Sequence, residues 1–320
     1  MMPTMQRSGL LLALILLVVG CGGPRQRPPV DLDGITLLRD YGWDMALAEP
    51  QAVWHPTSYR LLARRASGLE LLDEGQQRQV VKTPDATKVV DPQWLDEERF
   101  VYGPHPFPTV GEDGRLLLPN YGLMIGRTEQ GYFKHIEPLT SAGYRPRPWR
   151  YGRIVFSLND QIRLVDWRGR EEPYDRGFSP EPQPGRTGIA FQTVPLEQTD
   201  HWTGQERPGA LVVRWRPGAV QTFPGGHDPV WVPGDGGLVY TLTRELTAAE
   251  ADGVWRSSIM HVAGPDAQPE LVHGGANQPA VHPTRDLIAC RDADGRIVLT
   301  ALSGGGAIRV ISDSGYEPAW

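Results

Sequence analysis

Histidine is the first residue type to consider for chemistry, because an imidazole can act as a general base or bind a metal ion near neutral pH. The chain has 8 histidines: His55, His105, His135, His201, His227, His261, His273 and His282. No pair has the His-x-x-x-His or His-Glu-x-x-His spacing, so the sequence predicts no preformed zinc site. His227, directly before Asp228, is the best single candidate for a general base. The more common alternative is a turn histidine without a chemical role.

Other motifs of catalysis and cofactor binding are missing from the sequence. It has no Gly-x-Ser-x-Gly nucleophile motif and no phosphate-binding loop of the Walker type. Residues Asp292-Ala293-Asp294-Gly295 begin like a calcium loop but lack the later acidic ligand, so they predict a hairpin turn. We therefore expect no cofactor and no metal.

A phrase of the form Pro-x-Trp recurs along the chain. One copy is Asp228-Pro229-Val230-Trp231, and the last is Glu317-Pro318-Ala319-Trp320. The tryptophan or its equivalent lies at Trp54, Trp94, Trp149, Pro182, Trp231, Val281 and Trp320. The intervals average about 44 residues, which is the length of one four-stranded propeller blade. Short apolar runs and turn residues fill each interval, with no convincing helix.

The fifth interval shows the order of strands that we expect in every repeat. Its innermost strand is predicted at residues 229–232, followed by strands at residues 238–243, 258–262 and 270–273. The proline of the phrase lacks an N–H donor and is predicted at the start of the innermost strand. The tryptophan is predicted to pack between neighbouring blades, because its large ring buries much apolar surface.

A mostly polar set of residues stands three positions before each tryptophan equivalent: Gln51, Asp91, Pro146, Ser179, Asp228, Gln278 and Glu317. If the innermost strands line a central channel, Asp91, Asp228 and Glu317 would form an acidic ring that binds a cation or a basic peptide. Arg145 and Arg147 would offset part of this charge. The alternative is that these side chains cap strand ends and bond local backbone amides.

The repeat resembles that of TolB-type β-propellers, whose usual form is Pro-x-Trp-Ser-Pro-Asp-Gly followed by a strand of the Ile-Ala-Phe kind. Residues 228–240 carry the phrase and its strand, and residues 188–191 and 287–290 fit the strand. Where the family has serine, His55, Val232 and His282 stand instead. The resemblance covers residues 50–320. It implies a propeller fold, residence in the periplasm and contacts with other proteins, although such repeats also occur in enzymes.

Six full intervals predict an all-β, six-bladed β-propeller. The seventh phrase, at residues 317–320, starts a further repeat, and residues 35–39 resemble the last strand of one. We expect these two segments to pair and close the ring, which would remove exposed sheet edges. A seven-bladed ring with one blade shared by the two termini is the alternative.

The first 33 residues predict export and a lipid anchor. Arg7 precedes an apolar run at residues 10–19, which is too short for a permanent membrane span and is typical of a signal peptide. Residues 18–21, Val-Val-Gly-Cys, resemble a bacterial lipobox, which implies cleavage before Cys21 and acylation of that residue. We predict a signal peptide at residues 1–20, the lipidated Cys21 with a flexible linker at residues 21–33, and one propeller domain at residues 34–320. Gly22 after the cysteine implies the outer membrane, facing the periplasm.

Net charge and the length of two loops indicate what kind of partner the protein binds. The net charge is −6 and no run of five or more basic residues occurs, which argues against a nucleic-acid partner. Two long loops are predicted at residues 103–115 and 194–208, and Trp202 with Arg207 in the second has the composition of an interface anchor. We expect a lipid-anchored, non-catalytic scaffold that binds an envelope protein. The alternative is a propeller enzyme, a polysaccharide lyase or hydrolase, that acts through His227 and Asp228.

Overall fold

A computed structural model describes most of the chain between residues 52 and 312. The described residues are 52–54, 61–65, 68–72, 78–81, 89–104, 109–110, 116–117, 122–129, 132–193, 209–245, 255–282, 284–304 and 307–312. Cys21, Trp202, Arg207, Glu317 and the segment 35–39 lie outside these ranges. The signal peptide, the anchor, the domain boundaries and the pairing of the two ends therefore stay predictions.

Six four-stranded antiparallel sheets follow one another along the chain. The first three sheets contain β1 (Ala52–Trp54), β2 (Leu61–Arg65), β3 (Gly68–Leu72) and β4 (Arg78–Val81); β5 (Val89–Trp94), β6 (Arg99–Pro104), β9 (Met124–Glu129) and β10 (Tyr132–Pro138); and β11 (Tyr144–Pro148), β12 (Ile154–Leu158), β13 (Gln161–Val165) and β14 (Glu171–Arg176). The last three sheets contain β15 (Phe178–Pro182), β16 (Ile189–Gln192), β17 (Ala210–Arg216) and β18 (Ala219–Pro224); β19 (Gly226–Trp231), β20 (Leu238–Glu245), β21 (Trp255–Val262) and β22 (Glu270–Gly274); and β23 (Ala276–Val281), β24 (Ile288–Asp292), β25 (Ile297–Thr300) and β26 (Ala307–Ser312).

The first strand of each sheet contacts the first strand of the next, so β1, β5, β11, β15, β19 and β23 lie side by side. We call these six strands the inner strands. A buried apolar cluster lies at each of the five junctions between consecutive sheets. At the junction of the fifth and sixth sheets, for example, Val239 and Ile259 pack with Ile288 and Val298. The core therefore lies between the sheets rather than inside any one of them.

A β-bulge recurs in five of the inner strands, at the residue before the proline of the repeated phrase. The residues with left-handed backbone there are Asp91, Arg145, Ser179, Asp228 and Gln278, with φ between 48° and 52°, and the strand pairing shifts register at each of them. The proline is thus in the middle of the strand, and its predicted place at the strand start was wrong. A bulge interrupts the ladder of hydrogen bonds, so the missing N–H of proline is tolerated there.

The tryptophans pack between sheets as predicted, but in two directions. Trp94 packs against Leu62 and Leu69 of the preceding sheet, and Trp231 against Ala190 and Leu211 of its preceding sheet. Trp149 instead packs against Ile189 and Phe191 of the following sheet. The third repeat has one extra residue between bulge and tryptophan, and a one-residue shift turns a side chain to the other face of a strand.

That extra residue also corrects the alignment of the third repeat. Pro148, not Trp149, holds the position equivalent to Trp231, since Pro148 pairs with Ile154 as Trp231 pairs with Leu238. The bulge residue of this repeat is accordingly Arg145, not Pro146. In the third repeat, Arg145 rather than Pro146 therefore belongs to the set of residues that stand at the bulges of the inner strands.

Within the described ranges there is no α-helix, and the single helical turn there is the 3-10 turn Arg150–Gly152. Glu245 is the last residue of β20, and residues 246–254 lie outside the described ranges. The predicted loop at residues 103–115 contains β7 (Thr109–Val110), which pairs with β8 (Leu116–Leu117) as a small hairpin. No helix among the described residues is long and apolar enough to cross a membrane.

Cys290 gives a test of the packing between the fifth and sixth sheets. Its thiol is fully buried between β24 and the fifth sheet, and burial raises its pKa to about 12. Since the thiolate is the reactive form, we expect negligible alkylation of Cys290 by iodoacetamide at mildly alkaline pH in buffer and rapid alkylation in urea. Mass spectrometry of the Cys290 peptide measures both rates. Equal labelling with and without urea would contradict the packing.

Candidate functional site

The bulges of the inner strands bring charged side chains of three consecutive sheets together. Arg147 of β11 lies at the centre of the group. Its Nε donates a hydrogen bond to Glu181 Oε2 of β15 at 2.7 Å, and its Nη2 donates to Asp91 Oδ1 of β5 at 3.2 Å. Arg145 Nη1 lies 3.5 Å from the other Asp91 oxygen. We call these four residues the inner-strand network.

The network is shielded from solvent, which sets its electrostatics. The side chains of Asp91, Arg145 and Arg147 are 6%, 12% and 19% exposed, and that of Glu181 is 31% exposed. Burial works to lower the pKa of Arg147, but attraction to Asp91 and Glu181 outweighs it and the pKa is raised. Burial raises the pKa of Glu181, and Arg147 opposes that shift without cancelling it.

These directions fix how the network responds to pH. Because the folded pKa of Glu181 lies above its unfolded value, the stability it contributes is complete below the unfolded pKa and falls as pH rises through the folded pKa. Arg147 stays charged throughout, since its pKa is raised from an already high value. Of Arg147 and Glu181, Glu181 is therefore the residue whose protonation changes at the lower pH.

The predicted acidic ring is thus divided among different environments in the described residues. Asp91 is paired with two arginines. Ser179 is at the bulge of β15, where its backbone N–H donates to Ser157 Oγ at 3.0 Å. Asp228 contacts His227. Two carboxylates and two guanidinium groups of the network balance, so it carries no excess negative charge with which to attract a cation.

His227 and Asp228, the candidates for general base and partner, do form a contact. Asp228 Oδ2 lies 2.9 Å from His227 Nδ1, and His227 Nε2 lies 3.0 Å from Thr243 Oγ1. Thr243 Oγ1 is in turn 2.8 Å from Ser257 Oγ. The chain of contacts joins β19, β20 and β21 of one sheet. His227 is 6% exposed and Thr243 is 4% exposed, so both imidazole nitrogens have protein partners and the nearest hydroxyl is buried.

We expect His227 to stabilise the folded protein. Replacing His227 by Ala leaves the Thr243 hydroxyl without its imidazole partner and should lower the free energy of unfolding by about 2 kcal/mol. Thr243→Val should have a similar effect, and the double variant should lose less than the sum, because the two residues share one contact. Urea unfolding measures all three. The exposed His135 supplies the control, for which His135→Ala should change stability by less than about 0.5 kcal/mol.

Two further polar candidates, His282 and Asp292, serve turns. His282 Nδ1 accepts hydrogen bonds from the backbone N–H groups of Thr284 and Arg285, both at 3.0 Å. Asp292 Oδ1 accepts from the N–H groups of Asp294 and Arg296, so the sequence that begins like a calcium loop is a hairpin turn, as predicted. No group of three or more His, Cys, Asp or Glu side chains in the described part of the chain is placed to hold a metal ion.

Comparison with known proteins bears on the fold. No family model and no curated protein matches the chain. Among solved structures, it is similar to the β-propeller domain of Cps50 (Swd1) from Myceliophteria thermophila, with 11% identity and a TM-score of 0.54 over 81% of this chain and 84% of that one. The chain folds as a β-propeller. A computationally designed protein, Ika8, matches 84% of this chain and 88% of its own at 12% identity and a TM-score of 0.47.

The propeller places its turns on two ends, and this separates the candidate surfaces. Each inner strand is joined to the second strand of its sheet at one end, and the third strand is joined to the fourth at that same end, because successive strands are antiparallel. Trp149 Nε1 donates to the Arg186 carbonyl oxygen at 3.2 Å, so the β11–β12 and β15–β16 turns share this end. We call it the first-turn end. The β16–β17 connection, which contains residues 194–208, leaves β16 at the opposite end.

One group of exposed residues at the first-turn end was missed by sequence reasoning. Tyr151 and Trp167 are 88% and 56% exposed, and each has an arginine over its ring, Arg150 and Arg168. The signal in the sequence is the pairing of aromatic residue and arginine, Trp149-Arg150-Tyr151 and Trp167-Arg168, in two turns of the same repeat.

Proposed function

We propose that this propeller is a protein-binding scaffold of the cell envelope. The observation that carries the proposal is the state of the charged groups along the inner strands. Arg147 is bound by both Asp91 and Glu181, and His227 is held between Asp228 and Thr243. The contacts of Arg147 join three neighbouring sheets, and those of His227 join strands of one sheet. A rigid ring whose inner polar groups are engaged is suited to presenting its turns and loops to another protein.

The rival function is a propeller enzyme, and the Asp228–His227 contact is the observation in its favour. A carboxylate on one imidazole nitrogen orients the ring in many general bases. The other nitrogen, however, faces a threonine that is 4% exposed. The His227→Ala variant separates the two functions: loss of stability without a substrate for the wild type supports the scaffold, and turnover of an envelope polysaccharide that disappears in the variant supports the enzyme.

We further propose that the six sheets close as six blades. The sixth sheet supports closure, because it has two apolar faces. Ile288, Cys290 and Val298 pack on the fifth sheet, while Ala289, Ile297 and Leu299 form a separate buried cluster. In the second sheet the equivalent faces pack on the sheets before and after it. A sheet after the sixth would cover its second face, and the first sheet of a ring supplies one; a seventh blade shared by the two termini is the alternative.

The lipid anchor is proposed from the sequence around Cys21, with the outer membrane facing the periplasm as its location. The test compares membrane fractions of cells that produce the wild type or the Cys21→Ser protein. After a high-salt wash, the wild type should stay in the membrane fraction and the variant should be released, because several acyl chains give firm anchoring and the linker gives none. A variant that remains bound after the wash would disprove the anchor.

The binding surface is proposed at residues 194–208, with Trp202 and Arg207 as its anchors and an envelope protein as its partner. Affinity purification from detergent-solubilised envelopes, with the wild type and with the Trp202→Ala/Arg207→Ala double variant, tests it. The double variant should lose the partners that the wild type retains. Arg216→Ala is the matched control, because Arg216 is exposed on β17 of the same sheet, beside its other turn. An unchanged set of partners for the double variant would disprove this surface.

A further inference from the structure

The third sheet carries two arginine–aromatic pairs in adjacent turns. The β11–β12 turn contains Arg150 and Tyr151, and the β13–β14 turn contains Trp167 and Arg168. Ile154, directly after the first of these turns, pairs with Val165, directly before the second, so the two turns are neighbours at the first-turn end. We call Arg150, Tyr151, Trp167 and Arg168 the arginine–aromatic surface.

The rings and guanidinium groups of this surface are already arranged as recognition elements. The Arg150 guanidinium lies 5.3 Å from the centre of the Trp149 ring and 5.5 Å from that of Tyr151. The Arg168 guanidinium lies 4.6 Å from the Trp167 ring. Trp149 is fixed from below, since Tyr174 meets it edge to face at 5.2 Å. Stacking on aromatic rings restricts each guanidinium group, while Arg150 and Arg168 are both exposed to solvent.

The backbone of Tyr151 indicates a role outside the fold. Its φ of 60° and ψ of 30° place it in the left-handed region, where a side chain with a Cβ is disfavoured. The ring is 88% exposed, so its burial does not compensate for this conformation. Glycine would fit the backbone without strain, and Gly152 beside it has a φ of 68°. A strained backbone at a residue whose side chain is not buried is typical of a binding site.

Charge pairing in the two turns leaves two cations for a partner. The arginines next to these two turns in the third sheet are paired: Arg153 with Glu172, Arg163 with Glu171, and Arg170 with Asp166. Arg150 and Arg168 instead contact aromatic rings, and within the described residues no carboxylate pairs with either. The two arginines therefore offer forked donors to a carboxylate from outside.

We propose that the arginine–aromatic surface binds an acidic segment of a partner protein, with its carboxylates on Arg150 and Arg168 and its apolar side chains on Tyr151 and Trp167. A continuous polyanion fits less well, because Asp166, Glu171 and Glu172 lie beside the two arginines and the whole chain carries a charge of −6. This surface is at the end of the ring opposite the β16–β17 connection. It is therefore a second interface, and its test is independent of the one at Trp202 and Arg207.

Selection from a displayed library of random peptides provides the probe. Peptides enriched on the propeller should carry Asp or Glu next to a large apolar residue. The strongest one, labelled with fluorescein, should bind more weakly as salt rises and should lose binding when its acidic residues become Asn or Gln. Enriched peptides without acidic residues would overturn the proposal. Stronger binding to a single-stranded oligonucleotide or to phosphatidylglycerol vesicles than to the peptide would overturn it too.

Variants of the surface give the second part of the test. Arg150→Gln/Arg168→Gln and Trp167→Ala should each weaken peptide binding on the order of tenfold or more. Arg176→Gln is the matched control, since Arg176 is 85% exposed, is paired with Asp160 and lies at the other end of β14. Unchanged binding by the double variant, or an equal loss in the control, would overturn the proposal.

Tyr151→Gly separates binding from folding. Glycine relieves the left-handed backbone, so the Tm of this variant should be equal to or above that of the wild type. Its affinity for the labelled peptide should nevertheless fall about tenfold, because the ring that packs on the apolar side chains is gone. A lower Tm would show that Tyr151 serves the fold, and an unchanged affinity would show that it does not serve binding; either result overturns its assigned role.

Discussion

Replacing Arg147 by Ala is expected to lower the free energy of unfolding by about 3 kcal/mol, which is the low end of the range for breaking a buried ion pair. The reason is the state of the two carboxylates left behind. Glu181 loses the contact at 2.7 Å, and Asp91 loses the contact at 3.2 Å while the longer contact with Arg145 at 3.5 Å remains. Asp91 is 6% exposed, so water cannot replace the guanidinium. Urea unfolding followed by circular dichroism measures the loss.

A second pair of variants tests whether the loss of unfolding free energy comes from the carboxylates that no longer contact Arg147. Arg147→Met fills much of the same volume but leaves Glu181 unpaired, and we expect it to be nearly as unstable as Arg147→Ala. Arg147→Met/Glu181→Met removes both partners of the shortest contact and should be more stable than Arg147→Met alone, because replacing both members of a buried pair by apolar residues is often neutral. A double variant that is less stable than Arg147→Met would contradict this account.

Ser179→Gly is the control at the equivalent bulge of the next inner strand. Ser179 has a φ of 49°, and its hydroxyl is buried without a hydrogen-bond partner in the described residues. Glycine accepts this backbone without strain, so the variant should be as stable as the wild type or more stable by up to about 1 kcal/mol. The loss of an ion pair at Arg147 and the relief of backbone strain at the bulge of the next strand are thereby distinguished by the sign of the change in stability.

The positions of the strands could be predicted from the sequence because they depend on local patterns. The second strand of the fifth sheet was predicted at residues 238–243 and is Leu238–Glu245. The fourth was predicted at residues 270–273 and is Glu270–Gly274. Apolar alternation and the turn residues between strands carry this information. The inner strand Gly226–Trp231 was predicted three residues too short at its start, because the proline was read as a beginning.

The bulges of the inner strands could not be predicted from the sequence, because no single residue type occurs at all of them. The residues with left-handed backbone are aspartate, arginine, serine and glutamine, none of them the glycine that usually marks this conformation. The residue before a proline is also normally extended. The place of the bulge also determines the direction of Trp149, because one extra residue between Arg145 and Trp149 turns the indole towards the fourth sheet. Such information lies in the tertiary structure.

The inner-strand network shows the same limit for the candidate site. The sequence identified Asp91 and Asp228 as equivalent positions in two repeats, and it noted Arg145 and Arg147 as neighbouring charges. It could not show that Arg147 reaches both the preceding and the following sheet. That depends on how far the inner strands lie from one another. The partners of equivalent residues therefore differ from repeat to repeat, with His227 for one aspartate and two arginines for the other.

The second large effect is expected at Trp231, where Trp231→Ala should lower the free energy of unfolding by about 4 kcal/mol. The indole is 5% exposed and meets Trp215 edge to face at 5.3 Å. Its Nε1 donates a hydrogen bond to the carbonyl oxygen of Glu181 at 2.8 Å. Trp231→Phe retains most of the packing but loses that bond, and should lose only about 1 to 2 kcal/mol. Equal stability of the two variants would contradict this division.

Glu181 connects the two large effects, because its carboxylate binds Arg147 of the third sheet and its carbonyl oxygen binds Trp231 of the fifth. Residues that share a partner are expected to couple. In a double-mutant cycle, Arg147→Ala and Trp231→Phe should deviate from additivity by at least about 0.5 kcal/mol. Pairing Arg147→Ala with Thr243→Val supplies the control and should be additive, because the Thr243 hydroxyl contacts His227 and Ser257 of its own sheet. Additivity in both cycles would mean that β15 does not transmit strain from one neighbouring sheet to the other.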